Sequence, residues 1–408
     1  MNQRILRVIA QKDSEDYGGR NLLIKFRQDD EPCLHSIVND ARQTLPVTSG
    51  ISNILEKRDH DRSDILAMLQ CSEEEAPLLF RKAATVRDKY LGNNVYLRGL
   101  IEYSNVCGKN CLYCGLRRDN HSIARYTLTR DEVLEAAMTA YHHNLGSIAI
   151  QSGENTSKAF IDNVEELVRE IVSLTGGRLG ITLSLGEQSR ETYRRWFEAG
   201  AHRYLLRIEA SSEALYRKIH PDDQMHRYHR RLECLKIIQE EGYQTGTGVM
   251  VGLPYQTMSH LADDVIFMRD FDIDMCGMGP FIEHSATPLG SRGTDNLFLR
   301  ERFNMTLRMI AVVRIIMKDI NIVASTAMQT VDKAGREKAI ACGANIVMPN
   351  LSPARYREGY LIYEGKPGYR EINGENISGL DLEKIPGTTV CLGVWGDTPH
   401  YSKRVAKV

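Results

Sequence analysis

Between Val95 and Met348 the chain repeats one pattern eight times: a short β-rich run, then a longer charged stretch with helical spacing. The runs are Val95–Tyr103, Ser147–Gln151, Gly180–Leu185, Arg203–Glu209, Thr245–Val251, Met275–Ile282, Asn321–Ser325 and Asn345–Met348. Strand and helix in alternation give parallel strands joined by crossover helices. Eight such units in about 250 residues fit a closed (β/α)8 barrel, a TIM barrel, whose chemistry collects on the loops after the strands. A doubly wound open sheet is the alternative. Between the first two runs, Thr129 and Glu132 predict a capping box that starts a helix over Thr129–Leu145, and Gly146 predicts its stop.

The flanks differ from this rhythm. Residues 1–49 are polar, mixed in charge and weakly periodic, an extension of uncertain structure. Residues 50–92 form a helical segment, with Leu78, Leu79, Phe80, Ala83, Ala84, Val86 and Tyr90 at helix-like intervals, expected to pack on the barrel of residues 93–362. Residues 363–408 are a Gly-rich, irregular C-terminal extension. A net charge of −1 gives no nucleic-acid footprint. No apolar run is long enough to cross a bilayer. Met1–Gly19 lacks the apolar core of a secretory signal, so a cytoplasmic location is expected.

Nine cysteines are present, three of them crowded into Cys107-Gly108-Lys109-Asn110-Cys111-Leu112-Tyr113-Cys114 directly after the first run. That is no disulfide framework, and the six scattered ones are expected to be small buried hydrophobes. Three thiolates on one loop can ligate three irons of a cubane and leave the fourth iron open. A structural zinc site normally takes four ligands in paired spacings, and no Cys or His completes such a pair. Three merely structural cysteines are the remaining alternative. The spacing, with the aromatic Tyr113 before the last cysteine, resembles the signature of radical S-adenosylmethionine (SAM) enzymes. The resemblance implies one [4Fe–4S] cluster on Cys107, Cys111 and Cys114. It also implies SAM chelated at the open iron, reductive cleavage to a 5′-deoxyadenosyl radical, and Tyr113 packed near the adenine.

Other strand ends suit the same reading. Gln151-Ser152-Gly153-Glu154 resembles the motif that holds the SAM amino group. Thr182 and Ser184 share one face of the third run and either point into the barrel or satisfy core hydrogen bonds. Arg207 and Glu209 share a face of the fourth run; they pair with each other or contact the SAM methionine moiety, and buried charges need such partners. Gly246, Gly248 and Gly252 permit close backbone approach, a candidate adenine contact.

Further residues narrow the resemblance. Glu102–Asn120, Gln151–Glu154, Leu183–Glu187, Arg203–Glu209, Gly277–His284 and Met348–Asn350 closely resemble the HydE family of [FeFe]-hydrogenase maturases, from about Ile51 to Arg357. The resemblance implies action on an Fe(CO)2(CN)–cysteine precursor during assembly of the hydrogenase H-cluster. It implies HydG-type and HydF-type maturases as partners and a reductant such as ferredoxin or flavodoxin. Residue by residue, Ser184, Glu209 and Arg231 match SAM-binding positions and Arg207 a further one. Arg98, Arg203, Ser325 and Thr326 match the substrate cavity, where arginines would suit an anionic iron complex; Arg98 and Arg203 as ordinary ion-pair partners is the alternative. The chain departs from some members in having only Cys391 near the C-terminus, which argues against a second cluster, and in placing Ile208 where some have His. A radical SAM amino-acid mutase such as methylornithine synthase, a paralogue with another small sulfur-containing substrate, and a non-catalytic iron–sulfur scaffold are the competing functions.

Overall fold

The computed structural model describes residues 50–290, 296–366 and 387–406. The extension expected over residues 1–49 lies outside the described residues. Ten strands are present: β1 (Asn94–Ser104), β2 (Ser147–Ser152), β3 (Gly180–Ser184), β4 (Arg203–Leu205), β5 (Gln244–Thr247), β6 (Met250–Val251), β7 (Met275–Pro280), β8 (Asn321–Ala324), β9 (Ile346–Val347) and β10 (Thr389–Cys391). Hydrogen-bonded order runs β1-β2-β3-β4-β5-β7-β8-β9, and β9 pairs back to β1 through Tyr96↔Ile346 and Leu97↔Val347. Every pairing is parallel. This is the closed eight-stranded barrel, and each of the eight expected runs contributes to it.

The helices are α1 (Ile51–Leu55), α2 (Arg62–Leu69), α3 (Ala76–Leu91), α4 (Arg130–His142), α5 (Lys158–Thr175), α6 (Arg190–Ala199), α7 (Glu213–Ile219), α8 (Tyr228–Glu240), α9 (Met258–Asp270), α10 (Asn296–Ile316), α11 (Thr326–Val331), α12 (Gly335–Ala341), α13 (Ala354–Arg357) and α14 (Pro399–Val405). Most barrel helices start on a side-chain cap, which fixes where each loop ends. Thr129 caps α4 in the expected box with Glu132, Ser157 caps α5, Ser189 caps α6 and Thr257 caps α9. The helical segment before the barrel packs α3 against α10.

Two strand expectations needed correction. The run Arg203–Glu209 is a regular strand only to Leu205; beyond it Glu209 takes a left-handed backbone (φ 64°) and keeps a single parallel bridge to Val249. The run Thr245–Val251 splits into β5 and β6 at Gly248, where an added Cβ would lie 1.8 Å from Gly277 O. Gly248 therefore serves close approach of β7, not of a ligand. Helix α4 likewise ends at His142, before the expected stop, with Asn144 in a left-handed conformation (φ 58°).

The described part of the C-terminal extension closes the end of the barrel where the strands begin. Strand β10 pairs with the first residues of β1. Gly396 O accepts from Asn321 Nδ2 (2.7 Å) and Arg98 Nη2 (3.2 Å). Asp397 pairs with Arg203 Nη1 at 2.5 Å, and Arg203 is fully buried, also bonded to Thr182 Oγ1 and Trp395 O. In α14, His400 sits between Asp272 (2.8 Å) and Asp319 (3.0 Å), and Arg404 reaches Asp274 (2.5 Å). Breaking a buried pair from one side leaves an uncompensated charge.

Asp397 is 38% exposed, so solvent screens its side of the pair; Asp397→Asn should cost about 1–2 kcal/mol in denaturant unfolding, and Arg203→Met/Asp397→Asn together should cost less than the single change. His400 supplies a pH signature. Burial lowers its pKa, but Asp319 and Asp272 outweigh burial and raise it. Its contribution to stability should be complete below the unfolded value of about 6.5 and fade as pH rises through the raised folded value. Unfolding curves of the native protein and His400→Gln should converge at alkaline pH.

Candidate active site

Strand β1 delivers the cysteine loop to the C-terminal mouth of the barrel, and neighbouring loops hold its backbone. Asn110 N donates to His226 Nε2 (2.9 Å), whose Nδ1 faces Asp223 (2.7 Å). Leu112 N donates to Ile219 O, Gly115 N to Ile362 O, and Gly108 N to Glu154 O. The Arg125 guanidinium donates to the carbonyls of Asn105, Leu116, Arg117 and Asn120. Gly115 has no room for a side chain, since a Cβ would lie 2.1 Å from Leu361 O. These bonds fix the path of the loop backbone.

Cys107, Cys111 and Cys114 are free and partly buried. Burial pushes the Cys111 thiol up to about 12 and raises that of Cys114 as well. A coordinating metal deprotonates a thiol outright. Glu154 N points at Cys107 Sγ (3.3 Å), the type of amide-to-sulfur contact that tunes iron–sulfur centres. Among the described residues no three His, Cys, Asp or Glu converge on one metal ion. Three thiols that each take a different iron of a cubane need no common point.

The β2 loop fits against this loop because Gly153 lacks a side chain: its Cβ would lie 2.4 Å from Val106 O and 2.7 Å from Cys107 Cβ. Next to it, Glu154 accepts from Glu187 N (2.8 Å) and faces Lys109 Nζ (3.2 Å). Lys109 Nζ also reaches Glu187 (3.0 Å), and Arg231 from α8 holds Glu187 at 2.6 Å. Gly186, with φ 79°, clears space for the Glu154 carboxylate, which a Cβ there would approach to 2.6 Å. Glu187 is held below the usual carboxylate range: burial opposes this, but Arg231 and Lys109 outweigh it. Glu154 is pushed up, by burial first and with the Glu187 charge adding, against the pull of Lys109.

Arg207 and Glu209 pair with each other (2.9 Å), and Arg207 Nη2 also donates to Val249 O. Arg231 Nη1 donates to Arg207 O, tying this pair to Glu187. Tyr113 stands edge-on to His220 (centroids 5.4 Å), its hydroxyl 3.3 Å from His220 Nε2. Burial first, then the Cys111 and Glu209 charges, raise the Tyr113 pKa. Ser184 ends β3 and lines a cavity of about 30 Å³ inside the barrel with Arg98, Gln151, Thr182, Asn321 and Met348. Ser325 Oγ, at the end of β8, is buried with no partner among the described residues, while Thr326 Oγ1 accepts from Arg336. A strap of residues 358–366 crosses the mouth, where Glu364 N bonds Glu283 O and Lys366 pairs with the buried Glu102.

The structure thus gathers Cys107, Cys111, Cys114, Tyr113, Gly153, Glu154, Arg207, Glu209 and Arg231 at one end. Arg203 is not with them: it sits at the first residue of β4 with Asp397, in the ion-pair role. Arg98 faces the interior but bonds Gly396 O and Met275 Sδ toward the closed end. Lys109 and Glu187 escaped the sequence reading, although a Gly-Glu pair follows both the second and third runs.

The Radical SAM superfamily model matches residues 101–268. The chain is 44% identical over 315 residues to the [FeFe] hydrogenase maturase subunit HydE of Thermotoga maritima, covering 76% of this chain and 86% of that one. It is 29% identical over 340 residues to 3-methylornithine synthase of Methanosarcina acetivorans, covering 82% and 93%. A crystal structure of methylornithine synthase superposes with a TM-score of 0.70 at 23% identity, over 88% of this chain and all of that one.

Gly153→Ala should displace the cysteine loop, because both near atoms belong to it. Iron bound per chain after anaerobic reconstitution should fall well below that of the native protein while the circular dichroism of the fold persists.

Proposed function

Because the chain belongs to the HydE family of the radical SAM superfamily, we propose that it matures the [FeFe]-hydrogenase H-cluster by acting on an Fe(CO)2(CN)–cysteine precursor. Its cofactors are a [4Fe–4S] cluster and SAM. The observation that carries the reading is the union of three free thiols on one loop with the partly buried Glu154 pinned against that loop. When bound, the cluster and SAM supply an electron and a 5′-deoxyadenosyl radical.

The residues of the chain do the rest. Cys107, Cys111 and Cys114 ligate three irons and leave one open. Glu154 takes the SAM ammonium, its carboxylate anchored beside the cysteine loop by Glu187 N. Ser184, Glu209, Arg207 and Arg231 orient the remainder of the methionine moiety, with Glu209 placed by its left-handed backbone. A strained non-glycine residue of this kind commonly marks a functional site. Tyr113 packs near the adenine. Ser325 and Thr326 lie toward the precursor, and the unpartnered Ser325 hydroxyl is free to bond it. The narrow interior and the strap exclude water from a reactive species. HydG-type and HydF-type maturases are the proposed partners, the first as source of the precursor, with a ferredoxin or flavodoxin as reductant.

The test is an anaerobic assay of reconstituted, reduced protein with SAM, following 5′-deoxyadenosine with and without the HydG product. Stimulation by that product is expected. Stimulation by lysine instead would overturn the maturase reading in favour of an amino-acid mutase. Cys111→Ala should abolish cleavage, and retained cleavage with full iron content would contradict the ligand assignment. Glu209→Ala should weaken SAM binding roughly tenfold or more, the scale of losing a charge-assisted contact, as read by equilibrium dialysis.

A further inference from the structure

Lys109 lies between the first two cysteines, yet it is only 4% exposed. Its ammonium donates to Glu187 Oε2 (3.0 Å) and to Met225 O, and forms an ion pair with Glu154 Oε1 at 3.2 Å. No other cation of the described residues pairs with Glu154, whereas Glu187 also has Arg231. The residue is also tied to the sulfurs. It stands between Cys107 and Cys111 in the loop, and Glu154, which its ammonium faces at 3.2 Å, points its backbone N–H at Cys107 Sγ (3.3 Å). Burying a lysine is costly, and a methionine of similar length would fill the space without that cost. The ammonium therefore does something that packing does not need.

We propose that Lys109 is a positioning residue for the electron-accepting step: its fixed buried charge sets the reduction potential of the cluster on Cys107, Cys111 and Cys114 while it holds Glu154 toward SAM. Adding an electron to a cluster adds one negative charge, and net charge and hydrogen bonding around the sulfurs set the potential. In a low-dielectric pocket a nearby cation stabilises that added charge far more than it would in water. The same ammonium faces both Glu154 and Glu187 and so offsets their mutual repulsion, which holds Glu154 in place beside the cysteine loop. Glu187, with its own arginine, can hold Lys109 when Glu154 turns to the SAM ammonium.

The inference rests on the cluster assignment proposed above, and the experiment separates the two. The full-length protein is reconstituted anaerobically, and the reduced signal is followed by electron paramagnetic resonance during a redox titration without SAM. In Lys109→Met the ratio of reduced to oxidised cluster at fixed potential should fall roughly tenfold, a shift of about 59 mV to more negative values. Lys109→Arg should restore it. A loop that had merely loosened would admit water, which stabilises the reduced cluster and moves the potential the other way. An unchanged or more positive potential in Lys109→Met therefore overturns the proposal. Should that variant load no iron, Glu187→Gln decides: it leaves the ammonium less neutralised and should move the potential positive, and no shift or a negative one overturns the proposal. Failure of the native protein itself to assemble a cluster would defeat the cluster assignment instead.

Discussion

Three buried charges and a partly buried fourth hold the catalytic end of this molecule together. Lys109 on the cysteine loop, Glu154 after β2, Glu187 after β3 and Arg231 on α8 come from four different segments and neutralise one another. Each carries a large desolvation cost that only its partners offset, so the segments hold one arrangement or lose it together. Backbone amides reinforce the set, from Glu187 N to Glu154 and from Glu154 N to Cys107 Sγ. The glycines at 153 and 186 allow the approach, since a side chain at either would strike the loop or the carboxylate. Everything proposed for the site, from the ligation of iron to the placing of SAM, depends on this packing.

The barrel divides its labour between its two ends. At the end where strands finish, loops converge with charges and thiols. At the end where they begin, β10, Trp395, Gly396, Asp397 and α14 fill the opening, and Arg203 and Arg98 are spent on that closure. Arg203 illustrates the cost: burial lowers its pKa to about 10 even beside Asp397. A buried arginine near a barrel interior is thus no sufficient sign of an anionic substrate. Here the nearest anion is the chain's own carboxylate.

What was legible in the sequence was local. The cysteine spacing, the capping box at Thr129 and the eight β-rich runs each express themselves within a few residues, and the fold respects them. Three things were not. The left-handed backbone at Glu209, four residues beyond the end of β4, has no sign in a β-rich run. The split at Gly248 depends on Gly277 in a distant strand. The network depends on long-range meetings, Lys109 with Glu187 across 78 positions and Arg203 with Asp397 across 194, which only barrel closure brings about. Lys109 was hidden in plain view, because a lysine between two cysteines reads as solvated until the fold buries it.

The central claim is that three cysteines hold a cluster whose open iron meets SAM beside Glu154. The most direct measurement is the electron paramagnetic resonance spectrum of the reduced, reconstituted protein as SAM is added. The account predicts a reduced [4Fe–4S] signal that changes on stoichiometric addition of SAM, and that does so far less readily in Glu154→Gln. A signal that ignores saturating SAM, or responds identically in the two proteins, would contradict it.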